Sequence, residues 1–197
     1  MRAKKGLTLV ELLIAMALLV VIMSAVSSIF ATALRNYQVQ VVQNTLQRDL
    51  NVVLDDISRS VKDAVEIPTS YEAPNGEVFI RTPNSSTLVL ALPAIDENQQ
   101  FIYNQAGRVE KDYLIFQLIE SELHKKIFAY EMSSRFPQNN SDKIVLEDIS
   151  QLSFNYFNNS RLVETKISLE KGVLKTSIKI NGENKSVKRN EESIEGI

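Results

Sequence analysis

The residue near the N-terminus that is best placed for chemistry is Glu11, which is the only charged residue between Leu7 and Leu34. A carboxylate inside an apolar helix costs about 2.5 to 3.5 kcal/mol at the centre of a bilayer, so sequences rarely keep one there without a partner or a task. Cleavage between Gly6 and Leu7 would supply a partner, because the new α-amino group of Leu7 is a cation. Glu11 would then be the fifth residue of the shortened chain, and the two groups could pair between neighbouring molecules.

The apolar stretch around Glu11 is long enough to cross a membrane. From Leu12 to Leu34 the chain has 23 residues without a charge. At about 1.5 Å per residue they form a helix of roughly 35 Å, and a bilayer core is about 30 Å thick. Arg2, Lys4 and Lys5 precede the stretch. Because lysine and arginine mark the cytoplasmic end of a span, we expect the N-terminus inside and the body of the chain outside.

Two simpler interpretations of this segment remain open. A secretory signal peptide also has a basic start, an apolar run and small residues such as Ala31 and Ala33. Its apolar region, however, usually has only about 7 to 15 residues, and the sequence here continues in a helical pattern. A simple membrane anchor is the second interpretation, but it does not explain Glu11.

The segment from Lys4 to Ala15, Lys-Lys-Gly-Leu-Thr-Leu-Val-Glu-Leu-Leu-Ile-Ala, resembles the type III signal of type IV prepilins and pseudopilins. In that family a membrane peptidase cuts after the glycine of a short basic leader and N-methylates the new first residue, and a glutamate at the fifth mature position aids assembly. The resemblance assigns cleavage to Gly6 and Leu7, methylation to Leu7 and filament assembly to Glu11. The leader charges are Arg2, Lys4 and Lys5. Leu7 is a departure, because the family most often has phenylalanine there.

Beyond the apolar stretch, hydrophobic residues recur at intervals of three or four, which places them on one face of a helix. They are Val39, Val42, Leu46, Leu50, Val53, Ile57, Val61 and Ala64. No proline interrupts the pattern before Pro68, so we expect the helix to end near residue 66. The stripe can pack on the protein's own sheet or form a coiled coil with another subunit, and packing on the sheet is the more common use.

Short β-type runs follow a predicted loop from Pro68 to Gly76. The predicted strands span residues 77–81, 87–92, 100–104, 113–119, 124–132, 144–147, 151–158, 162–170 and 173–181, with a predicted turn at residues 148–151. The last two strands alternate polar and apolar residues and are joined by Lys171-Gly172. We expect them to form a hairpin whose buried face packs over the helix stripe.

The sequence therefore predicts an α+β fold in which a long N-terminal helix packs on an antiparallel β domain, as in pilins. The expected parts are a leader (1–6), a transmembrane and assembly helix (7–34), the amphipathic half of the same helix (35–66), an extracytoplasmic β domain (67–182) and a polar tail (183–197). We expect the tail to be mobile because it has many charges and few apolar residues.

A second resemblance lies in the C-terminal half. The segment from Ile144 to Phe157, Ile-Val-Leu-Glu-Asp-Ile-Ser-Gln-Leu-Ser-Phe-Asn-Tyr-Phe, is similar to a strand of PilW-like minor pilins and of J-type minor pseudopilins of general secretion systems. The pattern is mainly alternating apolar and aromatic residues, which any antiparallel sheet can show. This resemblance implies a minor subunit rather than a major one.

Residues with catalytic or metal-binding chemistry are sparse. The single histidine, His124, has no nucleophile near it in the sequence, and we expect it to be a surface residue of a strand. The acidic pairs Asp55-Asp56 and Glu191-Glu192 are predicted to be solvated charges, and Asp142, Glu147 and Asp148 lack the spacing of a calcium loop. The chain has no cysteine, which excludes disulfides and thiolate metal sites, and its net charge of −2 argues against nucleic acid as a partner.

The resemblance thus implies a minor pilin or pseudopilin without enzyme activity, cofactor or metal. It implies assembly into a type IV pilus, a competence pilus or a type II secretion pseudopilus, at the tip or during initiation. The implied partners are other major and minor pilins or pseudopilins, the prepilin peptidase, the inner-membrane assembly platform and, before assembly, membrane lipid. The implied location is the cytoplasmic membrane, with a single span, and then the filament. The alternatives are a single-pass anchored surface domain that does not polymerise and a binding domain or enzyme secreted by a signal peptide.

Overall fold

The computed structural model describes residues 8–82, 84–134, 141–157, 162–173 and 176–188. The predicted sites at Arg2, Lys4, Lys5, Gly6 and Leu7 lie outside the described residues, as do Glu191 and Glu192. The chain divides into two compact units, Met1–Asn44 and Thr45–Ile197.

Helix α1 runs from Leu9 to Asp63, and its 55 residues include no glycine and no proline. It ends three residues before the predicted position. The cause is a β-bridge: the Val65 N–H donates to the Ala91 carbonyl at 2.9 Å, and the Ala91 N–H donates to the Glu66 carbonyl at 2.9 Å. These bonds hold the chain in an extended conformation before Pro68, so the backbone groups that would continue the helix are used by the sheet.

Nine antiparallel strands follow the helix in the described residues. They are β1 (Ser70–Glu72), β2 (Val78–Ile80), β3 (Thr87–Pro93), β4 (Lys111–Ile119), β5 (Glu122–Phe128), β6 (Ser141–Leu146), β7 (Ile149–Phe157), β8 (Leu162–Val173) and β9 (Thr176–Val187). Strands β1 and β2 form a two-stranded sheet, β3 to β6 form a four-stranded sheet in that order, and β7 to β9 form a three-stranded sheet in that order. The two larger sheets are joined where the Phe154 N–H donates to the Ser85 carbonyl at 2.8 Å.

The sequence prediction was wrong at residues 100–104, which form only isolated bridges from Phe101 to Ile95 and from Tyr103 to Val109. Side-chain turns break this segment. The Asp96 Oδ1 atom accepts the backbone N–H groups of residues 98 and 100, and the Asn104 Oδ1 atom accepts those of residues 106 and 108. Such turns compete with a continuous ladder. Conversely, residues 68–76 were predicted to form a loop, but they contain strand β1.

Two strand boundaries also differ from the prediction in a way that the structure explains. Strand β5 ends at Phe128 rather than at residue 132, because the buried Asp112 carboxylate accepts the Tyr130 N–H at 2.8 Å and turns the chain there. The predicted turn at 148–151 is shorter, since β7 already begins at Ile149 and only Asp148 adopts a left-handed conformation, with φ of 61°.

The predicted C-terminal hairpin is present, but its strands are longer than expected. Lys171 and Gly172 lie within β8, opposite Ile178 and Ser177, rather than in the turn. Strand β9 continues to Val187, so residues 183–187, predicted as part of a mobile tail, are strand. Their polar side chains have partners: the Asn184 amide donates to the Leu54 carbonyl of the helix at 3.3 Å. Residues 189–197 of the predicted tail lie outside the described residues.

The predicted helix stripe forms part of the core in the second unit. Its buried members there are Leu46, Leu50, Val53, Ile57, Val61 and Ala64, and its residues Val39 and Val42, which belong to the first unit, are half-buried. Gly182 of β9 lies directly against the side chains of Leu50 and Leu54, as expected for a hairpin that packs on the helix. A separate cluster around Phe79 and Phe128 packs the β1–β2 hairpin on the four-stranded sheet.

Candidate membrane anchor and assembly site

The first part of helix α1 is exposed along its whole circumference. Every residue from Thr8 to Gln38 is exposed, although most of the side chains are apolar. A helix that is hydrophobic on all sides is stable only in lipid or within an assembly, because water would contact the whole apolar surface. Among the described residues, α1 is the one helix that is long and apolar enough to cross a membrane.

Thr8 and Glu11 together cap the beginning of this helix. The Thr8 N–H and the Thr8 hydroxyl both donate to the Glu11 Oε2 atom at 2.9 Å, and the Glu11 N–H donates to the Thr8 hydroxyl oxygen at 3.3 Å. Thr8 precedes the first helical residue, Leu9, and Glu11 is the third residue of the helix. This is a capping box, which satisfies backbone donors that a helix leaves unpaired at its start.

The cap gives Glu11 a partner within its own chain, which the sequence reasoning did not foresee. The signal for it was available in the spacing Thr8-Leu9-Val10-Glu11, since threonine followed three residues later by glutamate is the pattern of a capping box. A carboxylate has room for about four hydrogen bonds. Glu11 can therefore hold the cap and still accept a further donor from outside the chain, and a negative charge at a helix start is favoured by the helix dipole.

His124 lies in strand β5, as predicted, and it is partly exposed, with 16% of its side chain accessible. The His124 Nδ1 atom lies 2.8 Å from Asp142 Oδ1, and its Nε2 atom lies 3.6 Å from Glu122 Oε2. The contact with Asp142 connects the ring to the neighbouring strand β6. No group of three or more histidine, aspartate or glutamate side chains is arranged to hold a metal ion in the parts of the chain that the structure describes.

The adjacent residues Asp55 and Asp56 have different environments. Asp55 pairs with Arg59 one turn later on the exposed helix face, at 2.6 Å. Asp56 binds Lys125 of β5 at 2.7 Å, and the Lys125 ammonium also lies 5.6 Å from the centre of the Phe116 ring. Asp55 is a solvated charge, as predicted, and Asp56, whose side chain is 39% exposed, also links the helix to the sheet through Lys125.

Glu164 of β8 is a second carboxylate whose charge is strongly stabilised. Hydrogen bonds from Lys166 and from Lys185 on the neighbouring strand, both at 3.2 Å, lower the pKa of Glu164 to about 2. The Glu164 carboxylate in turn raises the pKa of Lys185. These three residues form a network of opposite charges across β8 and β9. Such cross-strand pairs help to hold strands in register.

Comparison with protein families matches residues 1–27 to the prokaryotic N-terminal methylation motif. The match covers the segment that contains Gly6, Leu7 and Glu11. Comparisons with curated proteins and with solved structures found no match.

Proteins that carry this motif are structural subunits rather than enzymes, and the motif indicates processing by prepilin peptidase and assembly with other pilins. With the exposed apolar helix, it indicates a membrane-anchored protein. The architecture agrees, because one long N-terminal helix packs on antiparallel sheets in an α+β fold. The chain therefore carries the prepilin signal of type IV pilin-like proteins, and this signal supports a pilin-type or pseudopilin-type substrate of prepilin peptidase.

Proposed function

We propose that the protein is a minor pilin or pseudopilin that is cleaved between Gly6 and Leu7, is N-methylated on Leu7 and joins a filament at its tip or during initiation. Its partners are then other pilins or pseudopilins, the prepilin peptidase and an inner-membrane assembly platform. The filament is a type IV pilus, a competence pilus or a type II secretion pseudopilus. Residues 1–6 are the leader, residues 7–34 span the membrane with the N-terminus in the cytoplasm, and the β domain lies outside.

The observation that supports this proposal best is an apolar helix that is exposed on all sides and has a single carboxylate in its first turn. Before assembly, lipid covers the apolar surface. In the filament, the helices of neighbouring subunits cover it instead. Glu11 contributes by pairing with the α-amino group of Leu7 on a neighbour. A methylated amine keeps its positive charge, so methylation is compatible with this pair.

The capping box allows the charge of Glu11 to be tested separately from its role in the helix. Glutamine can replace glutamate in a capping box, because its amide oxygen accepts the same bond. Glu11→Gln thus keeps the cap and removes the charge. Thr8→Val is the matched control, since it removes the capping hydroxyl and leaves the carboxylate.

We would measure two quantities: the amount of each variant in sheared filaments and the amount of cleaved protein in the membrane. We expect Glu11→Gln to insert and to be cleaved but to be lost from filaments, while Thr8→Val is incorporated. If Glu11→Gln is incorporated as well as the unmodified protein, the charge pair is wrong. If the unmodified protein is itself absent from sheared filaments, the anchored surface domain is favoured. A mature N-terminus beyond residue 30 would instead favour secretion by a signal peptide.

A further inference from the structure

The last strand of the four-stranded sheet, β6, has β5 on one side and no strand on the other among the described residues. Such an edge presents a row of backbone N–H and C=O groups with which another chain can pair. Ser141, Lys143, Ile144 and Val145 of β6 line a groove of about 730 Å³. The opposite wall of the groove is the side of helix α1 that contains residues 52–59.

The side chains that line this groove include one more cation than anions. Lys143 lies directly opposite Lys125 in the register of β5 and β6, and like charges in that position repel. Lys125 is neutralised by Asp56 at 2.7 Å, and Arg59 is paired with Asp55 at 2.6 Å. Lys143 forms no ion pair with any residue that the structure describes. A carboxylate from outside would relieve this repulsion.

The groove also has an apolar component next to that lysine. Val52 projects from the helix wall with 63% of its surface exposed, and Val53, Ile127 and Val145 line the same space. Exposed valines are common by themselves. Here, however, Val52 borders a groove that combines an unpaired strand edge, an excess cation and aliphatic side chains.

We propose that this groove binds an extended segment of another protein, which adds a strand to β6. Side chains of a strand alternate between its two faces, so every second residue of the segment would enter the groove. The entering residues are an acidic one beside Lys143 and an aliphatic one, two positions away, beside Val145 and Val52. This inference concerns the second unit alone and does not depend on the proposed cleavage or on filament assembly.

A second copy of this chain is a poor occupant of the groove through the same strand. Antiparallel pairing of β6 with itself would bring Lys143 of one molecule towards Lys143 of the other, and lysines on exposed edges are a known protection against such pairing. The charge of the groove therefore favours a different, acidic strand over self-association.

The test uses the full chain in detergent micelles and two short synthetic peptides. One alternates threonine with valine and glutamate, and the other has lysine in place of the glutamate. Binding is followed through the backbone amide resonances of β6 by NMR. The variant Lys143→Glu reverses the excess charge, and Lys179→Glu makes the same change at an exposed position of β9, another edge strand.

We expect the acidic peptide to shift the resonances of residues 141–146 and to bind about five to ten times more tightly than the lysine peptide. Lys143→Glu should reverse that preference, while Lys179→Glu should leave it unchanged. Three results would overturn the proposal: no shift in β6 with either peptide, equal binding of the two peptides, or the same preference in Lys143→Glu. The first result would mean that the edge of β6 is protected from pairing, and the other two would mean that Lys143 does not select an acidic strand.

Discussion

Replacement of Gly182 by alanine tests the contact between helix α1 and the C-terminal hairpin. A Cβ atom at this position would lie 2.8 Å from Leu50 Cδ2, 2.8 Å from Leu54 Cδ1 and 3.1 Å from Leu50 Cγ. Carbon atoms without a bond between them are normally about 3.5 to 4.0 Å apart. Leu50 is completely buried, so its side chain has no solvent to move into. The strand and the helix must therefore separate slightly to accept the methyl group.

The expected magnitude follows from two opposing effects. Overpacking of a core typically costs about 1 to 3 kcal/mol. Replacing glycine by alanine also restricts the unfolded chain, which stabilises a protein by about 0.4 to 1 kcal/mol where the backbone is compatible. The destabilisation by overpacking is larger than the stabilisation from the restricted unfolded chain. We therefore expect Gly182→Ala to lower the free energy of unfolding by about 1 to 2 kcal/mol.

Gly172→Ala is the matched control, because no atom lies within 4 Å of a Cβ built on Gly172 in β8. We expect this variant to be unchanged or slightly more stable. A third variant, Leu50→Ala, removes the atoms responsible for two of the three close contacts. In that background the destabilisation by Gly182→Ala should be smaller, since a double-mutant cycle reports the direct interaction of two residues and only the contact with Leu54 Cδ1 remains.

Urea unfolding of the full chain in detergent, followed by tyrosine fluorescence, gives these free energies, since the chain has six tyrosines and no tryptophan. A loss in Gly182→Ala that persists unchanged in the Leu50→Ala background would show that the methyl group acts elsewhere. Equal stability of Gly182→Ala and Gly172→Ala would refute the close packing of β9 on the helix.

Four further substitutions test three other contacts, by urea unfolding for the first two contacts and by melting temperature for the third. Asp56→Ala should lower the free energy of unfolding by about 1 to 2 kcal/mol, because it leaves the Lys125 ammonium largely buried without its partner. Lys125→Met keeps the apolar contact and should lower the free energy of unfolding by less. The reverse order would contradict the role of this pair. Phe79→Ala should cost about 3 to 5 kcal/mol, since the ring is fully buried under the β1–β2 hairpin, and a cost below about 1 kcal/mol would contradict that packing. The folded pKa of Glu164, about 2, lies below its ordinary value of 4.5, so its contribution to stability is complete above pH 4.5 and is lost as the pH falls towards 2. The melting temperature of Glu164→Gln should thus be lower than that of the unmodified chain at neutral pH, with a difference that shrinks between pH 4.5 and 2; a constant difference would contradict the ion-pair assignment.

Much of the fold could be predicted from periodicity. The apolar stripe from Leu46 to Val61 identified the buried face of the helix, because residues three and four apart lie on one side of it. Alternation in the last two strands identified the hairpin. Strand β9 was predicted to end too early because Asn184 and Ser186 look like tail residues in the sequence. Their burial depends on the helix and sheet beside them, which local patterns do not contain.

The chemistry of Glu11 was predicted only in part. Its isolation among apolar residues predicted a partner on a neighbouring molecule, and that partner stays a proposal. The structure adds Thr8, three residues away, as a partner within the chain. By contrast, the pair of Asp56 with Lys125 joins residues far apart in the sequence, and no local pattern could have indicated it.

The first residue of the processed protein tests the central proposal most directly. The protein would be purified from membranes of cells that contain prepilin peptidase and its N-terminal peptide sequenced by mass spectrometry. We predict a peptide that begins at Leu7 and has a methyl group on its α-amino nitrogen. A chain that begins at Met1, or at any residue beyond Leu7, would contradict the proposed processing and, with it, the proposed pairing of Glu11 with a neighbour's N-terminus.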